Sequence, residues 1–180
     1  MKTMIAYDLA TTSGVATLEQ DAESDQWMIN FWKMQYKGKA DGRPSFMAEM
    51  FDEHLLLVAP DIMAYESAII YRGRPASTRA GYENQGALKS CYHGQAKMVP
   101  YAPSAIKKQV TGNGSATKQM MVEEANRWIE AMGYEGRPLK ASDDKGKSED
   151  EDIADALMVL RCAVEDELGA LESITVVDCR

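Results

Sequence analysis

The sequence predicts an α/β fold in which a mixed five-stranded sheet is flanked by helices. Three short apolar segments separated by polar turns open the chain, and this pattern predicts an antiparallel meander. After residue 40, helix-like and strand-like segments alternate, which is typical of helices packed on a sheet. The length of 180 residues suits a sizeable core, so residues 1–180 are predicted to form one globular domain.

The predicted strands are short apolar runs bounded by turn-forming residues. They lie at residues 3–9, 15–18, 27–36, 61–66 and 97–101. Residues 11–14, with the sequence T-T-S-G, read as the turn between the first two strands. The tail at residues 174–177 either adds an edge strand or lies loosely against the domain.

The predicted helices carry apolar residues three or four positions apart, which places those residues on one face. They lie at residues 45–58, 77–92 and 151–168, with two more helices capped by Ser104 and Ser115. In the first helix the stripe consists of Phe46, Met50, His54 and Leu57. Residues 136–148 are polar and contain glycine, which predicts a mobile loop before the last helix.

The composition is that of an ordinary folded protein, with 45% hydrophobic and 27% charged residues. No run approaches the roughly 20 apolar residues of a membrane span, and Asp8 comes too early for a signal peptide. Cys91, Cys162 and Cys179 are odd in number and far apart, which fits neither a disulfide framework nor a zinc module. A reducing cytoplasm is the expected location.

The charges are distributed unevenly along the chain. The formal net charge is −8, but residues 67–118 contain eight lysines and arginines and one glutamate. That segment therefore carries +7 and the remainder −15. A basic block of this kind indicates either a footprint for a polyanion or a solvated basic surface. Much of the acidic excess lies in residues 142–152.

Four carboxylates stand at positions where α/β proteins place their sites. Asp8 and Glu66 each close an apolar strand, although an ordinary polar strand end would look the same. Asp152 and Asp155 are three positions apart on the last helix and therefore share a face. The helix dipole explains Asp152 in the first turn, but Asp155 is expected to be partly buried, where an unpaired carboxylate is costly.

Together these carboxylates could surround one or two Mg²⁺ ions. Hard cations prefer carboxylate oxygens, and two ions about 4 Å apart can activate water and stabilise the leaving oxygen in phosphodiester cleavage. No histidine, cysteine or serine constellation rivals this arrangement. His54 is expected to pack in the core, and a base role for His93 has no support in the sequence.

Four short motifs occur in a defined order over about 150 of the 180 residues. They are I-A-Y-D-L-A-T-T-S-G-V-A at residues 5–16, M-A-Y-E at 63–66, K-x-x-V-x-G-x-G-x-A-x-K at 107–118 and D-x-x-D-A-L at 152–157. Each is weak alone. In this order and at these separations they resemble the motifs of RuvC-type Holliday junction resolvases.

The resemblance implies a ribonuclease H-like fold, a homodimer and Mg²⁺-dependent cleavage of four-way DNA junctions. Paired nicks would leave 5′-phosphate ends, with two ions in each active site and Mn²⁺ as an expected substitute. No nucleotide cofactor and no membrane partner are implied. The residues that match the family's metal-binding carboxylates are Asp8, Glu66, Asp152 and Asp155. Lys107 and Lys118 match lysines that approach the scissile backbone.

The basic segment supplies the predicted DNA contacts. These are Tyr71, Arg72, Arg74, Arg79, Lys89, Lys107, Lys108 and Lys118. Tyr71 follows the second acidic strand closely, so it either stacks on a base at the open junction centre or packs in the core beside Ile69 and Ile70.

Three features depart from the bacterial enzymes of this family. The turn at residues 9–13 lacks their Pro-Gly pair, the loop after Glu66 is more basic, and the acidic loop before the last helix is unusual. These departures indicate a divergent, viral branch and leave the sequence preference and the strict junction specificity open.

Four other functions remain open from the sequence. Residues 7–14 also resemble the phosphate-binding hairpin of actin-like sugar kinases, but those enzymes need two such domains, and ATP binding would separate the classes. A non-catalytic module that grips branched DNA would not nick it. An acidic DNA mimic would leave the lysine motif unexplained. A ribonuclease H would prefer RNA–DNA hybrids, which substrate competition would reveal.

Overall fold

The computed structural model describes residues 2–10, 12–20, 22–23, 26–70, 72–142, 150–169 and 174–178. The strands are β1 Thr3–Asp8, β2 Thr12–Gln20, β3 Trp27–Gln35, β4 Ile62–Glu66, β5 Lys97–Tyr101 and β6 Ile174–Asp178. The helices are α1 Arg43–Val58, α2 Pro75–Tyr92, α3 Pro103–Thr111, α4 Lys118–Ala131 and α5 Glu151–Glu167, with a short 3-10 turn at Ala40–Gly42.

The strands form one mixed sheet in the order β5-β4-β1-β2-β3-β6. The strands β1, β2 and β3 are antiparallel neighbours, which confirms the predicted meander. The strands β4 and β5 run parallel to β1, and β6 runs parallel to β3. The five predicted strands are therefore present, and the tail adds a sixth strand at the edge.

The sheet is covered on both faces, which explains why its central strands are buried at most positions. All six residues of β1 are buried. Ile5 and Tyr7 point towards α1 and α2, whereas Met4 and Ala6 point towards α3, α4 and α5. Asp8 continues the second set and therefore faces α5.

Proline and threonine, rather than the predicted serines, set the starts of the middle helices. Pro103 opens α3 and Ala102 is its N-cap, so the cap predicted at Ser104 is wrong. Helix α4 begins after Thr117, whose hydroxyl accepts a hydrogen bond from the Met120 amide at 3.3 Å, so the cap predicted at Ser115 is wrong as well. No helix in the described part of the chain is long and apolar enough to cross a membrane.

Helix α1 buries a slightly different face from the predicted one. Met47, Phe51 and His54 are buried, while Leu57 remains 82% exposed near the end of the helix. His54 packs in the core, as expected, and its Nδ1 lies 2.9 Å from the Tyr7 hydroxyl. Burial lowers the pKa of His54 to about 4.

Gly14 allows α5 to approach the sheet. A Cβ atom on this residue of β2 would lie 1.8 Å from the Asp152 carbonyl oxygen and 2.9 Å from the Ile153 nitrogen. Only glycine leaves room for this backbone-to-backbone contact. The structure also includes Thr12, Ser13 and Gly14 in β2, so the strand begins three residues before the predicted start.

We expect Gly14→Ala to destabilise the protein by about 3 kcal/mol, because the methyl group meets backbone atoms of α5 that cannot rotate away. Urea unfolding measures this change. The matched control is Gly86→Ala on α2, where a Cβ atom meets nothing within 4 Å. That substitution should stabilise the helix by about 0.5–1 kcal/mol. Equal stability of the two variants would contradict the role assigned to Gly14.

Candidate active site

Asp8 and Glu66 end two neighbouring parallel strands at the same edge of the sheet. The pairing of Tyr7 with Tyr65 places the two carboxylates side by side at the next position along each strand. Both residues belong to the set that faces α5, since side chains alternate along a strand. The structure therefore brings together the two strand-end carboxylates that the sequence singled out.

Helix α5 carries the second pair of carboxylates over this edge. Asp152 lies in its first turn and Asp155 one turn later, with only 6% of Asp155 exposed. The segment before the helix is held by Asp150, which accepts a hydrogen bond from the Lys140 amide at 3.0 Å and pairs with Arg137 at 3.2 Å. These contacts hold Asp150, which is the N-cap residue of α5 and immediately precedes its first turn.

The carboxylates form one electrostatic cluster, in which Asp8 is affected by all three of the others. Asp8 is 7% exposed. Burial, then the negative charges of Asp155 and Glu66 and, more weakly, Asp152, raise the pKa of Asp8 well above its usual value. Such mutual repulsion requires that the four groups lie close together, so these charges are confined to a small volume.

The pKa values of the other three carboxyl groups are also raised, with burial as the largest cause in each case. Burial and then the charge of Asp155 raise the pKa of Glu66 to about 7. Burial raises the pKa of Asp155, which Lys118 partly counteracts. Burial also raises the pKa of Asp152, and there the opposing charge is chiefly that of Lys33.

Two predicted lysines face this cluster. Lys118 is the first residue of α4, and its ammonium donates a hydrogen bond to Asp155. Burial alone would lower the pKa of Lys118, but Asp155 and, more weakly, Asp8 and Glu66 raise it above its usual value. Lys107 is half-buried on α3, and its positive charge offsets part of the rise in the pKa of Glu66. Lys118 is thus the counter-ion of the cluster.

A third lysine, Lys33, was missed by the sequence analysis. It pairs with Gly14 across β2 and β3, and Gly14 pairs in turn with Asp8. Its ammonium lies 4.0 Å from the Asp152 carboxylate, and both side chains are largely shielded from solvent. Lys33 is aligned with Asp8 across the sheet only because of the register in which β1, β2 and β3 pair. That register cannot be predicted from the amino-acid composition.

The donor chemistry of the site fits a divalent cation, since the carboxylate oxygens are the ligands that Mg²⁺ prefers. Among the described residues, however, no group of three or more His, Cys, Asp or Glu side chains is arranged as a ligand set. The ammonium of Lys118 bonded to Asp155 supplies the positive charge in this arrangement. The assignment of the four carboxylates as metal ligands stays a prediction.

A cavity of about 300 Å³ opens beside the strand ends. Its lining includes Asp8, Glu66 and Lys118. It also includes Arg74, which is the residue before α2, and Ser77 in the first turn of α2. The opening could admit a phosphodiester group between the carboxylates and the cationic side chains. Among the described residues, Arg74 is thus the one arginine of the loop after Glu66 that lines this cavity.

The remaining predicted DNA contacts that the structure describes do not line this cavity. Arg72 and Lys108 are exposed, on the turn after β4 and on α3 respectively. Arg79 is paired with Glu83 on the surface of α2 at 2.6 Å. The ammonium of Lys89 lies 5.8 Å from the ring of Tyr65, whose side chain belongs to the opposite face of the sheet. Tyr71 lies outside the described residues, as do residues 143–149 of the acidic loop.

The sequence is similar to that of a known nuclease. No protein-family model matches the chain. It is 27% identical over 129 residues to the crossover junction endodeoxyribonuclease RuvC of Halorhodospira halophila. The match covers 72% of this chain and 66% of that protein, so the chain spans slightly less than two thirds of its length. The match confirms the resemblance to RuvC-type resolvases that the four motifs indicate.

Solved structures of this family share the fold. Thermus thermophilus RuvC superposes with a TM-score of 0.64 at 18% identity, covering 93% of this chain and 96% of that one. The same protein in complex with a Holliday junction substrate gives 0.67 at 15% identity, with 94% and 97% covered. The yeast mitochondrial Holliday junction resolvase Ydc2 gives 0.58 at 15% identity, with 87% and 75% covered. These matches confirm the ribonuclease H-like fold.

We expect Glu66→Gln to stabilise the metal-free protein at pH 8 by about 2 kcal/mol and to have little effect at pH 4.5. The folded chain holds the Glu66 proton more tightly than the unfolded chain, since the pKa is about 7 rather than 4.5. Stability from this group is therefore present at low pH and falls as the pH rises from about 4.5 to 7.

The measurement is urea unfolding of both proteins with EDTA from pH 4.5 to 8. The difference between them isolates Glu66 from His54, whose lowered pKa acts on stability in the opposite direction. Asp155, Lys118 and Lys107 face Glu66 in both proteins. A difference that does not change with pH would show that Glu66 is not held in the charged cluster.

Proposed function

We propose that this chain is a divalent-metal-dependent endonuclease that cleaves four-way DNA junctions. One observation carries the proposal: Asp8, Glu66, Asp152 and Asp155, from three separate elements, converge in one electrostatic cluster beside a cavity lined by Lys118 and Arg74. The similarity to RuvC supports the substrate class. Carboxylates that repel one another in a buried site are typical of a place where a cation and a phosphate are bound.

The four carboxylates are the groups that would hold the metal. When bound, divalent ions would activate a water molecule and stabilise the leaving oxygen. Asp8 is affected by all three of the other carboxylates, and its burial limits the screening of its charge by bulk water. The raised pKa of Glu66 implies that proton and metal compete for this carboxylate near pH 7.

The cationic side chains have separate tasks in this proposal. Lys118 holds Asp155 in the metal-free arrangement and would be released to the scissile phosphate when a divalent ion replaces its charge. Lys107 faces Glu66 and Asp155 from α3 and would stabilise negative charge that develops on the same phosphate. Arg74 at the cavity wall would bind a neighbouring phosphate.

A four-way junction is symmetric, and paired nicks need two active sites. We therefore propose a homodimer that makes two nicks and leaves 5′-phosphate ends, with Mg²⁺ as the working ion and Mn²⁺ as a substitute. Such an enzyme would act in the cytoplasm of a bacterial or phage-infected cell, where its DNA substrate is present.

The decisive experiment compares nicking of a synthetic four-way junction, a linear duplex and an RNA–DNA hybrid, each with Mg²⁺ and with EDTA. Symmetric nicks in the junction that require Mg²⁺ would support the proposal. Preferential cleavage of the hybrid would identify a ribonuclease H-type activity. Tight junction binding without nicking would identify a non-catalytic module, which the Lys118–Asp155 pair also permits.

We expect Asp8→Asn to lower the nicking rate by on the order of a thousandfold or more while leaving junction binding intact or slightly tighter. The substitution keeps the shape of the side chain and removes one carboxylate from the cluster. Single-turnover cleavage and gel-shift titration measure the two quantities.

The matched control is Asp52→Asn, which removes an exposed carboxylate from α1 on the other face of the sheet. It should leave both the rate and the affinity within about twofold of the wild type. Retained cleavage in Asp8→Asn would eliminate the proposed chemistry.

We expect Lys118→Ala to bind Mn²⁺ more tightly and yet to cleave more slowly at saturating metal. The variant loses the ammonium that competes with the ion for Asp155, and it also loses a charge that would stabilise the reacting phosphate. Electron paramagnetic resonance of Mn²⁺ measures the affinity, and single-turnover kinetics measure the rate. Weaker Mn²⁺ binding would contradict the counter-ion role.

Lys107→Ala and Lys108→Ala test the same idea at adjacent positions of α3. Lys107 faces the carboxylates, so its loss should slow cleavage more than it weakens binding. Lys108 is exposed, so its loss should weaken binding in a salt-dependent manner and leave the cleavage step unchanged. Identical effects at both positions would show that they only contact the DNA backbone.

A further inference from the structure

Two adjacent residues of α2 hold the loops that follow the two acidic strands. The Asn84 side-chain amide donates a hydrogen bond to the Ala10 carbonyl at 2.8 Å. The Gln85 side-chain carbonyl accepts a hydrogen bond from the Ala68 amide at 2.9 Å. Ala10 lies two residues after Asp8, and Ala68 lies two residues after Glu66. The same helix therefore grips both loops at equivalent points.

The packing of α2 supports this double attachment. Gly81 lies one turn before the pair, and a Cβ atom there would be 3.4 Å from the Ala68 Cβ and 4.0 Å from the Leu9 carbonyl oxygen. The helix thus lies directly against both loops. Gly81 also lines the cavity beside Asp8 and Glu66. Any shift of α2 would therefore move both loops.

Asn84 is an unusual choice for packing alone. The residue is fully buried, and its side-chain oxygen has no hydrogen-bond partner among the described residues. A buried amide with one unpaired atom stabilises the folded protein less than an apolar side chain of similar size would. The benefit of asparagine at this position must come from the hydrogen bond that it donates to Ala10.

We propose that Asn84 and Gln85 are positioning residues that set the separation of the Asp8 and Glu66 carboxylates by fixing the loops after β1 and β4. The inference rests on the proposed nuclease function, because that separation matters for a metal and a phosphate. Reacting groups displaced by about 1 Å can lose on the order of a hundredfold in rate. Neither residue touches the cluster, so both act through backbone.

The first test compares Gln85→Met with Gln85→Glu. Methionine removes the acceptor at similar size, whereas a glutamate oxygen can still accept the Ala68 amide proton. We expect Gln85→Met to lower the single-turnover rate by about 10- to 100-fold, with the metal-free junction affinity unchanged within about twofold. Gln85→Glu should restore most of the rate. Equal rates in the two variants would overturn the role of this hydrogen bond.

The second test separates positioning from stability. Asn84→Leu keeps the side-chain size, removes the donor and leaves Ala10 with the weaker hydrogen bond from Ser13 at 3.2 Å. Its melting temperature should stay close to that of the wild type while its rate falls by about tenfold or more. Adding Gly86→Ala should raise the melting temperature of either variant without restoring the rate. Recovery of rate with stability would overturn the proposal.

Amide hydrogen exchange makes the outcome independent of cleavage. Exchange at Ala68 should be on the order of tenfold faster in Gln85→Met than in the wild type and should return towards the wild-type value in Gln85→Glu. If the wild-type protein nicks no junction, the proposed function fails, and this exchange pattern still decides whether α2 holds the loop. Unchanged exchange at Ala68 in Gln85→Met would refute the attachment.

Discussion

The contact between α5 and β2 over Gly14 is the constraint on which the candidate site depends. Because the first turn of α5 lies against the sheet backbone, Asp152 and Asp155 reach the edge where Asp8 and Glu66 end their strands. A side chain at Gly14 would clash with the backbone of α5 and would push the helix away from the sheet. The same helix is buried along most of its length, so its position is determined by the core and transmitted rigidly to the carboxylates.

The charge at this edge is balanced by cations from three different elements. Lys118 from α4, Lys107 from α3 and Lys33 from β3 bring positive charge to the carboxylates and oppose the rise in pKa that burial and mutual repulsion cause there. Burial first, and then repulsion between the carboxylates, still raises the pKa of Asp8 and of Glu66 when these lysines are present. The site is therefore built at some cost in stability, which is common where binding of a ligand later supplies the missing charge.

Local patterns in the sequence predicted most elements, because strand alternation and helical periodicity depend on neighbouring residues. Four of the five strands and the last helix were predicted within one residue of their observed bounds, whereas β2 extends three residues before and two residues after its predicted range. The helix caps at Ser104 and Ser115 were wrong, since proline at residue 103 and the hydroxyl of Thr117 compete for the same role within a few positions. Residue type alone does not decide such a competition, because the winner depends on how the following helix packs.

The sequence by itself predicted the mixed sheet, because the strand patterns are local. It also singled out the four carboxylates and the two lysines of the third motif as candidate site residues, because each lies in a short segment with a distinctive order of residues. Only the tertiary structure decided which charges meet. Lys33 reaches Asp152 through the register of a hairpin, and Asn84 reaches Ala10 across 74 positions of the chain. Contacts of this kind depend on the strand register and on the positions of the helices on the sheet. Packing of the whole core determines those positions, and no local sequence pattern does.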